Sequence, residues 1–207
     1  TRWVNLTTTC MKSRNAQTKY GYKMKHPDKK YEIIYADPPW YYADRKKGTV
    51  FGGGVTTKYP TLTPEQLCEL PVDDWAADTS ILFMWTTMPY LMKSNKVIEA
   101  WGFKYVTMGF TWVKTNPKAG TVFKGVGNYT KSNAELCLIG RKGKVIPRAH
   151  KDVAQVIMEP RREHSRKPDR VRDDIVRGWG DRPRLEMFAR TSTPGWDVWG
   201  NEVDKFI

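Results

Sequence analysis

At 207 residues, with 35 Lys and Arg against 22 Asp and Glu, the chain carries a formal net charge of +13. Its 40% hydrophobic and 13% aromatic content is enough for a packed core, which excludes a disordered chain. The surplus of positive charge asks for an acidic partner.

Residues 1–30 hold eight basic residues against one acidic and show no period. They read as a basic extension ahead of a single domain over 31–207. Tyr31-Glu32-Ile33-Ile34-Tyr35-Ala36 is short, apolar and β-rich, a buried strand. It runs into Asp37-Pro38-Pro39-Trp40, where two prolines must end the ladder. A long loop follows over 41–61. Thr63-Pro64-Glu65-Gln66 carries the signs of a capped helix start. Ser80 to Trp85 is a second buried strand. Pro89 to Trp101 reads as a helix stopped by Gly102. Phe103 to Lys114 reads as a strand broken at Gly109. A Gly/Lys/Asn-rich loop over 115–132 precedes a strand from Ala134 to Gly140. Pro168 to Arg177 is a short helix ending at Gly178. Leu185 to Ala189 is a strand, and Trp196 to Trp199 begins a last element.

Buried strands alternating with helices predict an α/β fold with a mainly parallel sheet and helices on both faces. Such sheets bind ligands at the carboxyl ends of their strands. Two strand ends stand out: Asp37-Pro38-Pro39-Trp40 and Ala189-Arg190-Thr191-Ser192. No GxGxxG follows a strand, so a standard dinucleotide site is not supported. The three cysteines (Cys10, Cys68, Cys137) form no CxxC, and the three histidines lie far apart, so no metal site is expected. Cys137 in an apolar run reads as core, as do Trp85, Trp101 and Trp112. The longest uncharged stretch, Thr79 to Met92, is too short to span a bilayer. No leader opens the chain, and the expected location is the cytoplasm.

The charge is uneven. Residues 141–172 hold eleven basic residues against four acidic. Like residues 1–30 they carry a surplus of seven, while the rest of the chain is nearly neutral. Such clusters suit phosphate backbones; a solvated face is the other reading.

Asp37-Pro38-Pro39-Trp40 is the segment with the most chemistry. The prolines fix φ and remove two N–H groups, which leaves carbonyls facing outward without neighbouring donors. The Asp37 carboxylate and the Pro38 carbonyl can each accept one hydrogen of an exocyclic amine, and Trp40 can lie against the ring face. Two acceptors on its hydrogens pyramidalise the amine nitrogen and aim its lone pair for in-line displacement. A strand-terminal turn without chemistry is the alternative for a bare Asp-Pro-Pro.

With its neighbours, this tetrapeptide resembles the DPPW motif of the METTL-like family of N6-adenine methyltransferases. Lys58-Tyr59-Pro60-Thr61, Trp112-Val113-Lys114-Thr115-Asn116, Gly127-Asn128-Tyr129 through Glu135, His164 to Asp169, and Phe188-Ala189-Arg190 with Trp196 and Gly200-Asn201-Glu202 follow in the family's order over roughly 31–204. The resemblance implies a class I, Rossmann-like methyltransferase fold with permuted motifs. It implies S-adenosylmethionine as methyl donor, with S-adenosylhomocysteine as product, and 31–207 as the catalytic domain. It also implies roles for individual residues. Asp37, Pro38, Pro39 and Trp40 form the acceptor site. Asp37, Lys167, Arg190, Ser192, Asn201 and Glu202 hold the cofactor. Tyr59, Lys114, Asn116, Arg161, Arg162 and Arg166 face the substrate. Ser192-Thr193 departs from the polar pair found after the arginine in the mRNA enzyme, and Glu202 stands where that subunit has Gln. Each residue also has a structural reading: Lys167 as a surface charge, Arg190 paired with Glu186, Tyr59 as a loop anchor, Glu135 as a hydrogen-bond partner.

The expected activity is methylation of adenine N6 in DNA, by a compact enzyme of bacterial or phage type. RNA adenosine is the alternative substrate, and a non-catalytic nucleic-acid-binding subunit is the alternative of another class. The 116–132 loop is a candidate homodimer contact, and no membrane partner is expected.

Overall fold

The structure is a computed structural model. It describes residues 29–41, 60–127, 129–162, 166–201 and 203. The basic extension before residue 29, most of the loop after Trp40 with Tyr59 in it, and Glu202 lie outside the described residues.

Seven strands form one sheet: β1 (Tyr31–Ala36), β2 (Ala76–Thr86), β3 (Lys104–Thr115), β4 (Ala134–Lys142), β5 (Val156–Pro160), β6 (Arg184–Met187) and β7 (Asp197–Trp199). Their order is β5-β3-β4-β2-β1-β6-β7. The pairs β1–β2, β1–β6, β6–β7 and β3–β5 are parallel, and β4 is antiparallel to both its neighbours. Six strands therefore run one way and β4 alone is reversed, which meets the expectation of a mainly parallel α/β sheet. The chain builds outward from β1 on one side, then returns to add β6 and β7 on the other. The carboxyl ends of β1 and β6 thus flank the topological switch point, where such sheets open a crevice.

Among the described residues, four α-helices cover the sheet: α1 (Pro64–Cys68), α2 (Val72–Trp75), α3 (Leu91–Ala100) and α4 (Arg170–Trp179). Side chains alternate along β1. Ile34 and Ala36 join the core built with Leu67, Val72, Trp75, Val97, Ile98 and Trp101 of α1–α3. Ile33 and Tyr35 join the opposite core, with Val171 and Ile175 of α4. Helices accordingly lie on both faces, as expected. Trp85, Trp101, Trp112 and Cys137 are all core, and burial raises the Cys137 thiol well above its ordinary range.

Several boundaries differ from expectation for identifiable reasons. The Thr63 capping box is present, with its side chain accepting from the Gln66 N–H and Gln66 reaching back to the Thr63 N–H. The strand over β3 is not broken at Gly109. It continues with a register slip between Met108 and Phe110, and glycine fits there because a Cβ at Gly109 would lie 2.8 Å from the Ile139 side chain. The last helix does not end at Gly178. That glycine is buried inside α4, and Gly180 at φ 87° ends the helix instead. Strand β5 and the short helix α2 carried no clear period and were not expected. Among the described residues, no helix is long and apolar enough to cross a membrane.

Candidate active site

Asp37 directly follows β1, and Ala36 pairs with Met187 of β6. The Asp37 N–H still reaches the Met187 carbonyl at 3.4 Å, so the acidic turn leaves the sheet beside the end of β6. The turn is stitched in place. The Trp40 N–H donates to the Pro38 carbonyl at 2.9 Å, and the Leu62 N–H to the Pro39 carbonyl at 2.8 Å. This corrects the expectation that these carbonyls face no donor. Each keeps a second lone pair, so the Pro38 oxygen retains capacity for one further hydrogen bond.

Trp40 is not an open platform. It is 5% exposed, its ring stacks on Tyr90 at 5.0 Å between centroids, and its indole N–H donates to the Trp85 carbonyl. The stack uses the flat faces of both rings and pins the turn against the end of β2. Tyr90 carried no signal of this in the sequence, since the contact is made fifty residues away.

The principal charged contact is made by Lys167. Its Nζ lies 2.7 Å from both carboxylate oxygens of Asp37 and 3.2 Å from Glu135 Oε2. It also sits 5.6 Å from the centre of the Trp85 ring. The other Glu135 oxygen accepts from Lys114. The result is a chain of alternating charge, Lys114–Glu135–Lys167–Asp37, joining the ends of β3, β4, the segment before α4, and β1. Burial alone would raise the Glu135 carboxyl, but Lys167 and then Lys114 outweigh it and hold it at about 2. Burial would likewise lower the Lys167 ammonium, and Asp37 and Glu135 raise it instead. Lys167 is thus a built-in element, not a loose surface charge. Glu135 is a structural partner, as read from the sequence.

This tetrad makes stability depend on acid. A carboxyl lowered by folding contributes stability that is present above its ordinary value of 4.5 and lost as the pH falls toward 2. Unfolding free energy should drop by about 3 kcal/mol across that window. Urea titrations at stepped pH check this, and Glu135→Gln should flatten the slope.

A second network holds the segment carrying Lys167. Arg162 donates to Asp169 at 2.6 Å and to the Lys167 carbonyl at 3.0 Å. Arg166 reaches the same Asp169 oxygen at 3.1 Å. Arg172 donates to the other Asp169 oxygen at 2.9 Å, and grips Glu186 of β6 with two 2.7 Å bonds. Burial pushes the Glu186 carboxyl up against the pull of Arg172. Glu186, which the sequence offers as a partner for Arg190, is gripped by Arg172. The available signal was an acid inside the apolar run Leu185-Glu186-Met187, because a buried carboxylate demands a partner.

A crevice opens over the switch point, with Asp37, Lys167, Glu186, Phe188, Arg190 and Thr191 in its wall. Phe188 has φ 60°, a left-handed turn that swings the chain off β6. Among the other expected site residues, Ser192 is exposed and is not part of that wall. Asn201 follows Gly200, whose missing Cβ would lie 2.6 Å from the Ala189 carbonyl; the close approach brings the end of β7 beside the end of β6. Asn116 folds its own loop, donating to Thr121 Oγ1 at 3.0 Å. Arg161 is exposed, with its guanidinium 4.1 Å from the centre of the Phe123 ring.

A doubly wound sheet with an Asp-Pro-Pro turn and a part-buried, ion-paired lysine at its switch point is of the class I methyltransferase kind. The MT-A70 family model matches residues 31–202, and the chain belongs to that family. It is 39% identical over 194 residues to the Type II methyltransferase M.MunI of a Mycoplasma species, covering 86% of this chain and 79% of that one. It is 28% identical over 193 residues to the human N(6)-adenine-specific methyltransferase METTL4, 86% of this chain and 38% of that one. It is 29% identical over 187 residues to the N6-methyladenosine RNA methyltransferase MTA1 of Pyricularia oryzae. The chain spans only 24% of a plant relative, the Arabidopsis thaliana MT-A70-like N(6)-adenosine-methyltransferase. The resemblance read from the motifs is borne out, and methyl transfer is the chemistry of this family.

Proposed function

We propose that the chain transfers a methyl group from S-adenosylmethionine to the exocyclic N6 amine of adenine in DNA. The observation that carries this reading is the Lys167–Asp37 clamp beside the Pro38 carbonyl, at the switch point of a sheet whose sequence matches M.MunI along most of both chains.

The crevice fits the cofactor chemically. Asp37 and Glu186 offer acceptors, Lys167, Arg190 and Thr191 offer donors, and Phe188 offers an apolar face. That mixture suits a ligand with ribose hydroxyls, an amino-acid end and a flat base. Arg190 and Asn201 are assigned to the ribose side, with Glu202 and Ser192 beside them. When bound, S-adenosylmethionine supplies a methyl group on a positively charged sulfur. Asp37 and the second lone pair of the Pro38 carbonyl accept the two amine hydrogens and turn the nitrogen lone pair outward. A donor held by the crevice wall would give its methyl group to that lone pair and leave as S-adenosylhomocysteine, and the surplus proton of the methylated nitrogen would pass along its hydrogen bond to Asp37 and on to water. Lys167 fixes the Asp37 carboxylate throughout. Trp40 contributes by anchoring the turn, and Pro39 by bonding to Leu62. Tyr59 is assigned to the adenine pocket.

In duplex DNA the target base must leave the stack to reach such a crevice. Mass spectrometry of nucleosides from DNA incubated with the protein and donor tests the reading: N6-methyladenine should form. RNA is the second substrate to try, since the fungal relative is named for it; methylation of RNA alone would overturn the DNA assignment. A catalytically silent chain would leave both substrates unmodified.

The three arginines proposed to face the substrate differ in their contacts. Arg161 and Arg162 are both exposed, but Arg162 is paired with Asp169 while the Arg161 guanidinium lies over the Phe123 ring, so Arg161→Ala should reduce the slope of log affinity against log salt by about 1. Arg162 and Arg166 are committed to Asp169, so their alanine variants should lower turnover by loosening Lys167. Fluorescence titrations of labelled DNA at several salt concentrations measure the first effect.

A further inference from the structure

We propose that the loop joining β3 to β4 is a DNA-contacting finger, with Tyr129 as its stacking tip beside the extruded adenine. The inference rests on the DNA reading above and adds the element that contacts the neighbouring bases.

The loop is built rigidly at its root. The Lys114 N–H donates to the Asn133 carbonyl at 2.8 Å, and the Phe123 N–H to the Lys114 carbonyl at 2.8 Å. Higher up, its two arms touch. A Cβ at Gly125 would lie 2.0 Å from the Ser132 carbonyl oxygen, and one at Gly127 would lie 2.0 Å from that of Thr130. Only glycine allows that approach. The two arms press together and leave the tip outside. At the tip Val126 is 95% exposed and Tyr129 fully so. A lone exposed apolar residue needs no explanation, but a valine and a tyrosine both fully exposed three residues apart in one loop mark a contact surface.

The charge around the tip selects the partner. Residues 116–133 contain Lys118, Lys124 and Lys131 and no carboxylate, and Arg161 lies over the Phe123 ring near the root. Aromatic tip and basic flanks together are the chemistry of a nucleic-acid finger: lysines hold phosphates while a ring stacks on a base. The position is right as well. Tyr129 is six residues from Glu135, which ties it to within about 20 Å of the Lys167–Asp37 clamp. An adenine drawn from the duplex leaves a gap in the stack, and an aromatic wedge tethered within that reach can fill it.

The test compares wild type, Tyr129→Ala and Tyr129→Trp by steady-state methylation of unmethylated high-molecular-weight DNA. Calorimetry with S-adenosylmethionine and sedimentation velocity run alongside. Tyr129→Ala should raise KM for DNA about tenfold or more, Tyr129→Trp should restore it, and donor affinity should stay unchanged. An unchanged KM in Tyr129→Ala, with an active wild type, overturns the finger and leaves the methyltransferase reading intact. A wild-type dimer that Tyr129→Ala splits into monomers also overturns it, making the loop a contact between two copies. A wild type that leaves DNA unmethylated sinks the DNA reading, and the finger with it.

Discussion

Lys167→Met should abolish methyl transfer and destabilise the fold by about 3 kcal/mol. The side chain is 10% exposed and its ammonium serves two carboxylates. Asp37 and Glu135 stand 2.7 and 3.2 Å from that one nitrogen, so without it Asp37 loses this partner and faces Glu135, which keeps only Lys114. Leaving buried charges unpaired costs far more than the net worth of the intact pair. The stability loss should be relieved in part by adding Glu135→Gln, because that removes the like charge facing Asp37. The activity loss should not be relieved, since Asp37 would still lack its anchor. Urea unfolding and methyl incorporation, measured on the two single variants and the double, separate these effects. Wild-type turnover in Lys167→Met would overturn the role assigned to the clamp.

Asp37→Ala should lower kcat by about 10²- to 10³-fold, the usual loss when one preorganised polar contact to the reacting group is removed. Asp37 is the only carboxylate on the Asp-Pro-Pro turn, and Lys167 holds both its oxygens. Each oxygen keeps a lone pair for an amine hydrogen. Removing the carboxylate leaves Lys167 with Glu135 alone, so the protein should still fold. DNA affinity should change little, because the residues proposed to hold phosphates lie elsewhere. Single-turnover methylation against direct DNA binding distinguishes this from a folding defect: a fall in binding equal to the fall in rate would make Asp37 a structural residue.

Much of the site was legible because it is local. Two prolines after an apolar strand, next to an acid, specify a rigid acceptor turn whatever surrounds them. Lys167 stood out through its place in a basic segment ahead of Pro168 and through the family resemblance. The strand and helix pattern over β1, β2, α3 and β4 was likewise carried by short apolar runs and caps. What escaped depends on contacts between distant segments. The Trp40–Tyr90 stack, the Arg172–Glu186 grip and the division of labour among Arg161, Arg162 and Arg166 each join residues whose spacing has no period.

From its sequence alone, then, this protein has a surplus of basic residues, an α/β order of elements, a rigid Asp-Pro-Pro turn and a resemblance to one methyltransferase family. These follow from backbone restriction, side-chain period and composition, which act within a few residues. The tertiary structure alone decided that the ends of β1 and β6 lie side by side, and that Lys167 joins Asp37 to Glu135. It also decided that Trp40 is buried support and not a platform. Those outcomes depend on strand order and on the need to pair each buried charge, and both are settled only when the whole sheet closes.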